Sequence, residues 1–191
     1  MSAKRIGVLA LQGDFEAHVT MLDKIGVPHR HVRKREDLEN IDGLILPGGE
    51  STTMITLMKA FDLIEPMKIF YQQGKSIFGT CAGSILLARE IANSDQFRFG
   101  FIDVAIERNG YGRQVQSFEK DIAVKALGPE PFHAVFIRAP KILRCGNNVK
   151  VLAELDGSAV AAIDKNILIS TFHPEVTEDA RMHEYFVSHM A

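Results

Sequence analysis

Residues 79–83, with the sequence Gly-Thr-Cys-Ala-Gly, constrain the fold more than any other stretch of this chain. They follow a short apolar run at 76–78 and precede a helix-like segment at 84–91. The pattern Gly-x-Cys-x-Gly is the thiol form of the nucleophile elbow, a strained turn that joins a strand to a helix. We therefore predict Cys81 at the apex of this turn, where the helix dipole favours its thiolate form. A buried structural cysteine is the alternative interpretation.

The composition limits the kind of protein that can carry this elbow. A chain of 191 residues, 46% of them hydrophobic, suits one domain, which we predict to span residues 1–191. The net charge of −2 gives no reason to expect nucleic acid as a partner. No apolar run approaches the roughly 18 residues of a membrane span, so we expect no membrane partner. Cys81 and Cys145 lack the spacing of a metal site, which favours free thiols in a reducing cytoplasm.

The first half of the sequence predicts a doubly wound α/β sheet. Nearly continuous apolar runs at 4–11 and 42–46 are typical of buried parallel strands, and residues 29–32 predict another strand. After the first strand, apolar residues recur at spacings of three and four, as in an amphipathic helix. His18 lies on this helix, where we expect it to be packed or to face a partner. Strand, helix, strand, connection and strand in succession are the signature of such a sheet.

The loop Pro-Gly-Gly-Glu-Ser at 47–51 directly follows the third predicted strand. Its glycines let the backbone turn and expose N–H groups, and Ser51 or Thr52 can cap the next helix. Ligands of open α/β sheets bind beyond the carboxyl ends of the strands, and Gln12, this loop and Cys81 all follow such ends. We therefore expect them to converge on one edge of the sheet. On its own, the Gly-Gly pair would indicate only a tight turn.

After about residue 94, helical periodicity gives way to short runs with β character. We expect these runs to form an antiparallel extension of the sheet. They occupy residues 101–106, 122–124, 134–137, 149–153, 159–163 and 167–171.

Two further segments bring arginines near strand ends. Residues 107–114, Glu-Arg-Asn-Gly-Tyr-Gly-Arg-Gln, have the glycines and positive charge of a loop that approaches an anionic ligand. Arg138 follows a β-like run and allows the same interpretation. For both segments, a solvated surface loop is the alternative.

The sequence His-Pro-Glu at 173–175 ends the last predicted strand. Proline disfavours helix at the residue before it, and in an extended chain the residues on either side of it point the same way. Glu175 can therefore steady one imidazole nitrogen of His173, which would act as the base for Cys81. Thr177 is the expected cap of the last helix.

Three motifs, at 47–51, 79–83 and 172–175, occur in the order and spacing of a known family. Together they resemble the class I, triad-type glutamine amidotransferases, which implies a three-layer, doubly wound, flavodoxin-like α/β fold with a mixed sheet. The chain is further similar to the glutaminase subunits of two-component pyridoxal 5′-phosphate synthases. This finer resemblance covers essentially the whole chain and rests on residues 9–13, 47–54, 107–109, 112–114, 136–140 and 171–175.

The resemblance implies hydrolysis of L-glutamine to glutamate and ammonia through a cysteinyl thioester. Cys81 is the implied nucleophile, and His173 and Glu175 complete the implied triad. The N–H groups of Gly49 and Ala82 would form the oxyanion hole. The implied glutamine contacts, two of them arginines suited to an α-carboxylate, are Gly49, Glu50, Ser51, Arg108, Ile137 and Arg138.

The resemblance also implies a partner. Ammonia would pass through a tunnel to a separate synthase subunit, which makes pyridoxal 5′-phosphate from a pentose phosphate and a triose phosphate. That compound is a product of the complex, so we expect no cofactor in this chain, and His29 and His31 lack the third ligand of a metal site. Free glutaminase subunits of this family are nearly idle until docked. We expect the same here, with Gln12 and the helix of His18 near the docking face and Gly48-Gly49 as a movable oxyanion segment.

Two other functions remain open at this point. The glutaminase subunit of another synthase, such as imidazole glycerol phosphate synthase, would use identical chemistry with a different partner. Residues 9–13 and 107–114 argue against that subunit by resemblance. A non-enzymatic thiol sensor or chaperone-like α/β protein could also carry a cysteine elbow, but it has no reason to keep His-Pro-Glu after a late strand.

Overall fold

The chain alternates strands and helices in its first half and is mostly β in its second half. The structure, a computed structural model, describes residues 4–112 and 117–191. The elements of the first half are β1 (Ile6–Leu9), α1 (Phe15–Lys24), β2 (His29–Val32), β3 (Gly43–Leu46), α2 (Ser51–Ala60), α3 (Ile64–Gln72), β4 (Ser76–Thr80), α4 (Ala82–Leu87) and β5 (Ala88–Ile91). Those of the second half are β6 (Ile102–Glu107), β7 (Ser117–Ile122), β8 (Phe132–Ile137), β9 (Lys141–Cys145), β10 (Lys150–Leu155), β11 (Ser158–Asp164), β12 (Ile167–Ser170) and α5 (Arg181–His189). Short 3-10 helices span Arg35–Leu38 and Pro174–Val176.

The central sheet has its strands in the order β10-β11-β12-β4-β3-β1-β2. The strands from β12 to β2 run parallel, with Ile45 of β3 beside Val8 of β1 and Phe78 of β4. Their order is the flavodoxin-like 2-1-3-4-5 pattern, with β12 in the fifth place. β10 and β11 add antiparallel pairs at one edge. The predicted doubly wound α/β fold with a mixed sheet is therefore confirmed.

Apolar layers cover both faces of this sheet. Ile45 and Phe78 belong to the cluster with α1, α5 and the β7–β8 pair. Leu44, Leu46 and Ile77 belong to the cluster with α2, α3, α4 and the small sheet of β5, β6 and β9. The alternation follows from the two-residue period of a strand, and each fully buried side chain of this size contributes about 1.5–3 kcal/mol. Within residues 4–112 and 117–191, no helix has the length and hydrophobicity needed to cross a bilayer.

The β-rich second half extends the central sheet only in part. β10 and β11 continue it, whereas β6 pairs with β5 and β9, and β7 pairs with β8, in two separate small sheets. The burial pattern of β8 explains its position, because buried and more exposed residues alternate along it. One face of the β7–β8 pair packs on the core and the other faces solvent, as is usual for an antiparallel cover.

The helix expected at 84–91 ends at Leu87, and the remaining residues form β5. The backbone of Ala88 is extended, with φ −60° and ψ 150°, and the strand pairs in parallel with β6. This part of the prediction was wrong because local periodicity carries no information on a pairing partner that follows later in the chain. β9 was not predicted at all.

Two predicted helix caps are also wrong. Glu50, and not Ser51 or Thr52, occupies the N-cap of α2, and its Oε1 accepts from Thr52 N at 3.4 Å. Ala180 occupies the N-cap of α5, while Thr177 Oγ1 accepts from Asp179 N two residues further on. In both cases a neighbouring carboxylate or turn satisfies the first free N–H groups.

Candidate active site

Cys81 lies at the strained turn that the sequence predicts. Its φ is 46° and its ψ is −105°, in a region that residues with a side chain rarely occupy. A Cβ on Gly79 would stand 2.7 Å from the carbonyl carbon of Gly83, and one on Gly83 would overlap the carbonyl oxygen of Leu46. Glycine at both positions therefore lets α4 pack closely on β3 and β4. The turn presents Cys81 beyond the carboxyl end of β4.

His173 and Glu175 are paired, but through a different backbone path from the one predicted. His173 Nδ1 lies 2.7 Å from Glu175 Oε1, and both side chains are buried. The backbone after His173 turns into the 3-10 helix Pro174–Val176, so the two residues do not lie on an extended strand. The N–H of His173 donates to Val135 O at 2.8 Å, which fixes the histidine to β8. This turn brings the carboxylate of Glu175 back toward Nδ1 of its neighbour His173.

The charges of this pair favour a protonated imidazole. Burial lowers the pKa of His173, but hydrogen bonds to Cys81 and Glu175, together with their charges, outweigh burial and raise it to about 10. Burial raises the pKa of Glu175, and the hydrogen bond and charge of His173 oppose that rise. The directed hydrogen bond of Cys81 Sγ runs to the carbonyl oxygen of Ile137 at 3.8 Å. Sγ of Cys81 therefore lies within reach of both His173 and the carbonyl oxygen of Ile137, and such contacts are often loose in sites without substrate.

One cleft brings together nine of the ten predicted site residues. Its volume is about 420 Å³, and it opens at the carboxyl ends of the parallel strands. The tenth residue, Glu175, lies behind His173 and does not line the cleft. The nine that do are Gly49, Glu50, Ser51, Cys81, Ala82, Arg108, Ile137, Arg138 and His173.

Arg108 is held at the cleft by a network that the sequence did not predict in full. Its Nη2 donates to Glu50 Oε1 at 3.1 Å, and its Nη1 donates to Gln96 Oε1 at 2.8 Å. Gln96 Nε2 in turn donates to Ser51 Oγ at 3.0 Å. Gln96 was missed because it lies outside every motif, and no sequence signal marks it. Arg138 also lines the cleft, with a φ of 44°.

The Gly48-Gly49 loop is held from the side of α1. The N–H of Asp14 donates to Gly48 O at 3.1 Å, and Glu50 N donates to Gln12 Oε1 at 2.8 Å. The carbonyl and N–H of one trans peptide point in opposite directions, so the N–H of Gly49 points away from Asp14. A Cβ on Gly48 would overlap Cε1 of His173. The loop therefore packs directly against the imidazole, and only glycine fits there.

The described part of the arginine-containing loop, residues 108–112, forms part of the cleft wall. Asn109, Tyr111 and Gly112 line the cleft beside Arg108. Arg113 and Gln114 lie outside the described residues. Among the residues that the structure does describe, no group of three or more His, Cys, Asp or Glu side chains could hold a metal ion.

A buried histidine pair lies behind the site. His18 of α1 and His183 of α5 are completely buried, and Nδ1 of His18 lies 2.9 Å from Nε2 of His183. Burial lowers the pKa of both, that of His183 to about 4, and the positive charge of His183 or His173 would lower that of His18 further. Both rings are therefore neutral near pH 7. His18 is packed, which was one of its two predicted environments.

We expect the free energy of unfolding to fall in acid because of His183. The unfolded residue binds a proton below its ordinary pKa of 6.5, whereas the folded residue does so only below about 4. The contribution of His183 to the free energy of unfolding is therefore complete above pH 6.5 and is lost as the pH falls to about 4. Between pH 7 and pH 4.5 the unmodified chain should lose about 2 kcal/mol more than a His183→Gln variant, measured by urea unfolding. Equal losses in the two proteins would contradict this.

Comparison with known proteins assigns this chain to a family. The model of the SNO glutamine amidotransferase family matches residues 8–191. The pyridoxal 5′-phosphate synthase subunit PdxT of Thermosipho africanus is 52% identical over 184 residues, which cover 96% of this chain and 97% of that protein. The subunit of the same name from Thermotoga maritima is 50% identical over 183 residues, which cover 96% of this chain and 97% of that protein.

Solved structures agree with this assignment. A crystal structure of a glutamine amidotransferase superposes with a TM-score of 0.91 at 46% identity, covering 95% of this chain and 96% of that one. A structure of PurLQS from Thermotoga maritima has a TM-score of 0.73 at 16% identity, with each chain fully covered, and shows a likeness of fold alone. With a family model that matches nearly the whole sequence and relatives at about half identity, the chain belongs to the SNO glutamine amidotransferase family.

Proposed function

We propose that this chain hydrolyses the side-chain amide of L-glutamine with Cys81 as the nucleophile. The observation that carries the proposal is the strained position of Cys81 at a cleft that also contains His173, whose Nδ1 lies 2.7 Å from Glu175. A nucleophile, a base and a group that orients the base are the three parts of a hydrolytic triad. A thiol sensor would need neither the base nor the buried carboxylate.

The walls of the cleft suit free glutamine. Arg108 and Arg138 place two guanidinium groups at the cleft, where they would hold the α-carboxylate by charge-assisted hydrogen bonds. Glu50 and Gln96 fix Arg108 from behind, which reduces the entropy that binding would cost. Ile137 and Ser51 complete the walls around the side chain.

The first half of the reaction releases ammonia. Sγ of Cys81 attacks the amide carbon of glutamine, while His173, which its raised pKa keeps protonated, carries the proton of the pair on Nε2. The amide oxygen takes the negative charge, which the N–H groups of Gly49 and Ala82 would stabilise. His173 then gives the proton to the leaving nitrogen, the C–N bond breaks, and ammonia departs from a thioester on Cys81.

The second half restores the free cysteine beside the protonated histidine. His173 takes a proton from a water molecule, whose oxygen attacks the thioester carbon. The tetrahedral intermediate collapses with cleavage of the C–S bond, and the proton stays on His173 as in the resting site. Glutamate leaves, and Glu175 balances the imidazolium charge of His173 throughout.

We further propose that the ammonia passes to a synthase subunit that makes pyridoxal 5′-phosphate. The relatives at about 50% identity are named as subunits of that synthase, which supports the same assembly for this chain. In this arrangement residues 1–191 act as one glutaminase domain. A reducing cytoplasm is the compartment that keeps the nucleophilic thiol in its active form.

Glutamine hydrolysis should depend on the synthase. We expect the free chain to be about a hundredfold slower than the docked chain, because one badly set oxyanion donor costs that much in rate. The Gly48-Gly49 loop is held by contacts to Gln12 and Asp14, next to α1, so docking on this side could reset it. The measurement is ammonia release with and without the pyridoxal 5′-phosphate synthase subunit.

A second synthase provides the control. The synthase subunit of imidazole glycerol phosphate synthase should neither bind the chain nor raise its rate. Full activity of the free chain would overturn the proposed dependence, and activation by the imidazole glycerol phosphate partner would overturn the proposed assembly.

A further inference from the structure

The two carboxylate oxygens of Glu175 differ in their hydrogen bonding. Oε1 bonds to His173 Nδ1 at 2.7 Å, whereas Oε2 is buried without a hydrogen bond in the described parts of the chain. His18 Nε2 lies 3.5 Å from this oxygen. A buried carboxylate stays ionised only where polar hydrogens face it, so the protonation of His18 Nε2 matters for the triad.

Thr80 places His18 at a second point of the site. Oγ1 of Thr80 lies 3.1 Å from His18 Nε2, and Thr80 directly precedes Cys81 at the end of β4. One imidazole nitrogen therefore faces both the strand that carries the nucleophile and the carboxylate that orients the base.

The hydrogen-bond inventory selects one tautomer for each ring. If His18 Nδ1 donated to His183, then His183 would carry its proton on Nδ1, which is buried without an acceptor in the described residues. His18 Nε2 would then turn a bare lone pair toward Glu175. If His183 Nε2 donates to His18 Nδ1 instead, the atom left without a partner is an acceptor, Nδ1 of His183. His18 Nε2–H then faces Thr80 and Glu175. The second arrangement avoids both a buried free donor and a lone pair facing an anion.

We propose that His18, held by His183 as its Nε2–H tautomer, is a positioning residue that turns a polar hydrogen toward Glu175 and so keeps this carboxylate ionised and aimed at His173. The kinetic consequence rests on the proposed function, but the tautomer and the reactivity of Cys81 do not. Besides His18, whose Nε2 lies 3.5 Å from Oε2, titratable groups that act on Glu175 include His173 and Asp14, the latter from the segment before α1.

The tautomer is tested directly by nitrogen-15 NMR of the labelled full chain near pH 7. We expect the signals of His18 to show a protonated Nε2 and an unprotonated Nδ1, and those of His183 to show a protonated Nε2. His18→Gln and His183→Gln variants identify the signals by their loss. A proton on Nδ1 of His18 would overturn the proposal.

Kinetics test the positioning role in the complex with the synthase subunit. His18→Leu should lower kcat by about 10- to 100-fold and leave KM within about twofold, because the cleft wall is unchanged. His18→Gln offers an amide N–H near the position of Nε2 and should stay within about threefold of the unmodified chain. Equal losses of kcat in the two variants, or a loss confined to KM, would overturn the proposal.

Alkylation of Cys81 tests the same role without glutamine. The measurement uses iodoacetamide on a Cys145→Ser background, so that only one thiol reacts. A less well held Glu175 stabilises the imidazolium less, so the midpoint of the alkylation rate should move to higher pH in His18→Leu and stay in place in His18→Gln. An unmoved midpoint in His18→Leu would overturn the proposal. If the unmodified complex hydrolyses no glutamine, the proposed function fails, while NMR and alkylation still decide the role of His18.

Discussion

Replacing Cys81 with alanine should lower kcat for glutamine hydrolysis by about 10⁵-fold or more, because no other group at the cleft can form the thioester. The substitution removes only Sγ, which makes a weak contact to Ile137 O at 3.8 Å and lies next to His173. The strained backbone at φ 46° remains, so the variant should fold with nearly unchanged stability and still bind glutamine. Ammonia release in the synthase complex gives the rate, and calorimetric titration gives the affinity for glutamine.

Cys145 provides the matched control for this substitution. It lies on β9 opposite Val104, and it does not line the cleft. Cys145→Ser should therefore keep the rate within about twofold. Ammonia release by Cys81→Ala within tenfold of the unmodified chain would exclude Cys81 as the nucleophile.

The parallel core could be predicted because its strands are covered on both faces. Every residue of β1, β3, β4 and β12 is buried, so each strand is a short, largely apolar run of the kind expected in a sheet covered on both faces. Their connections are short and follow chain order except for β12, which closes the parallel set after the whole β-rich segment. The flavodoxin-like order itself was implied by the resemblance to the class I amidotransferases and not by the local pattern.

The small sheets could not be predicted from local pattern. Residues 88–91, Ala-Arg-Glu-Ile, follow directly on the helix α4, and only pairing with β6 makes them a strand. β9 presents one fully buried residue, Ile142, among half-buried and exposed ones, so its alternation is weak. In both cases the decision comes from partners elsewhere in the chain, which periodicity does not record.

The site residues likewise include some that the sequence predicts and some that it does not. Cys81 and the His173–Glu175 pair lie in short motifs, and the residue types in each motif indicate its chemistry. Gln96 and His183 act through side-chain contacts across the fold, and His183 meets His18 from 165 positions away. No spacing rule links such residues, so only the folded structure brings them to attention.

Glu175→Gln should lower kcat by about 10³- to 10⁴-fold while KM changes little, because Glu175 lies behind His173 and does not line the cleft. The amide keeps the shape of the side chain but removes the charge that stabilises the imidazolium. The pKa of His173, about 10 in the unmodified chain, should therefore fall, since burial would then act with less opposition. An amide that turned its N–H toward Nδ1 would also force the proton of a neutral imidazole onto Nε2, where it cannot accept from Cys81.

Two measurements separate this electrostatic role from a merely structural one. Steady-state kinetics in the synthase complex give the split between kcat and KM, and the rate of Cys81 alkylation at neutral pH reports how much thiolate the imidazolium supports. Both kcat and the alkylation rate should fall in Glu175→Gln, while Glu178→Gln should change neither, since this exposed carboxylate pairs with Lys24 at the surface. An unchanged alkylation rate would mean that Glu175 holds His173 in place without stabilising its charge. A rise in KM alone would mean that the carboxylate shapes the cleft and takes no part in proton transfer.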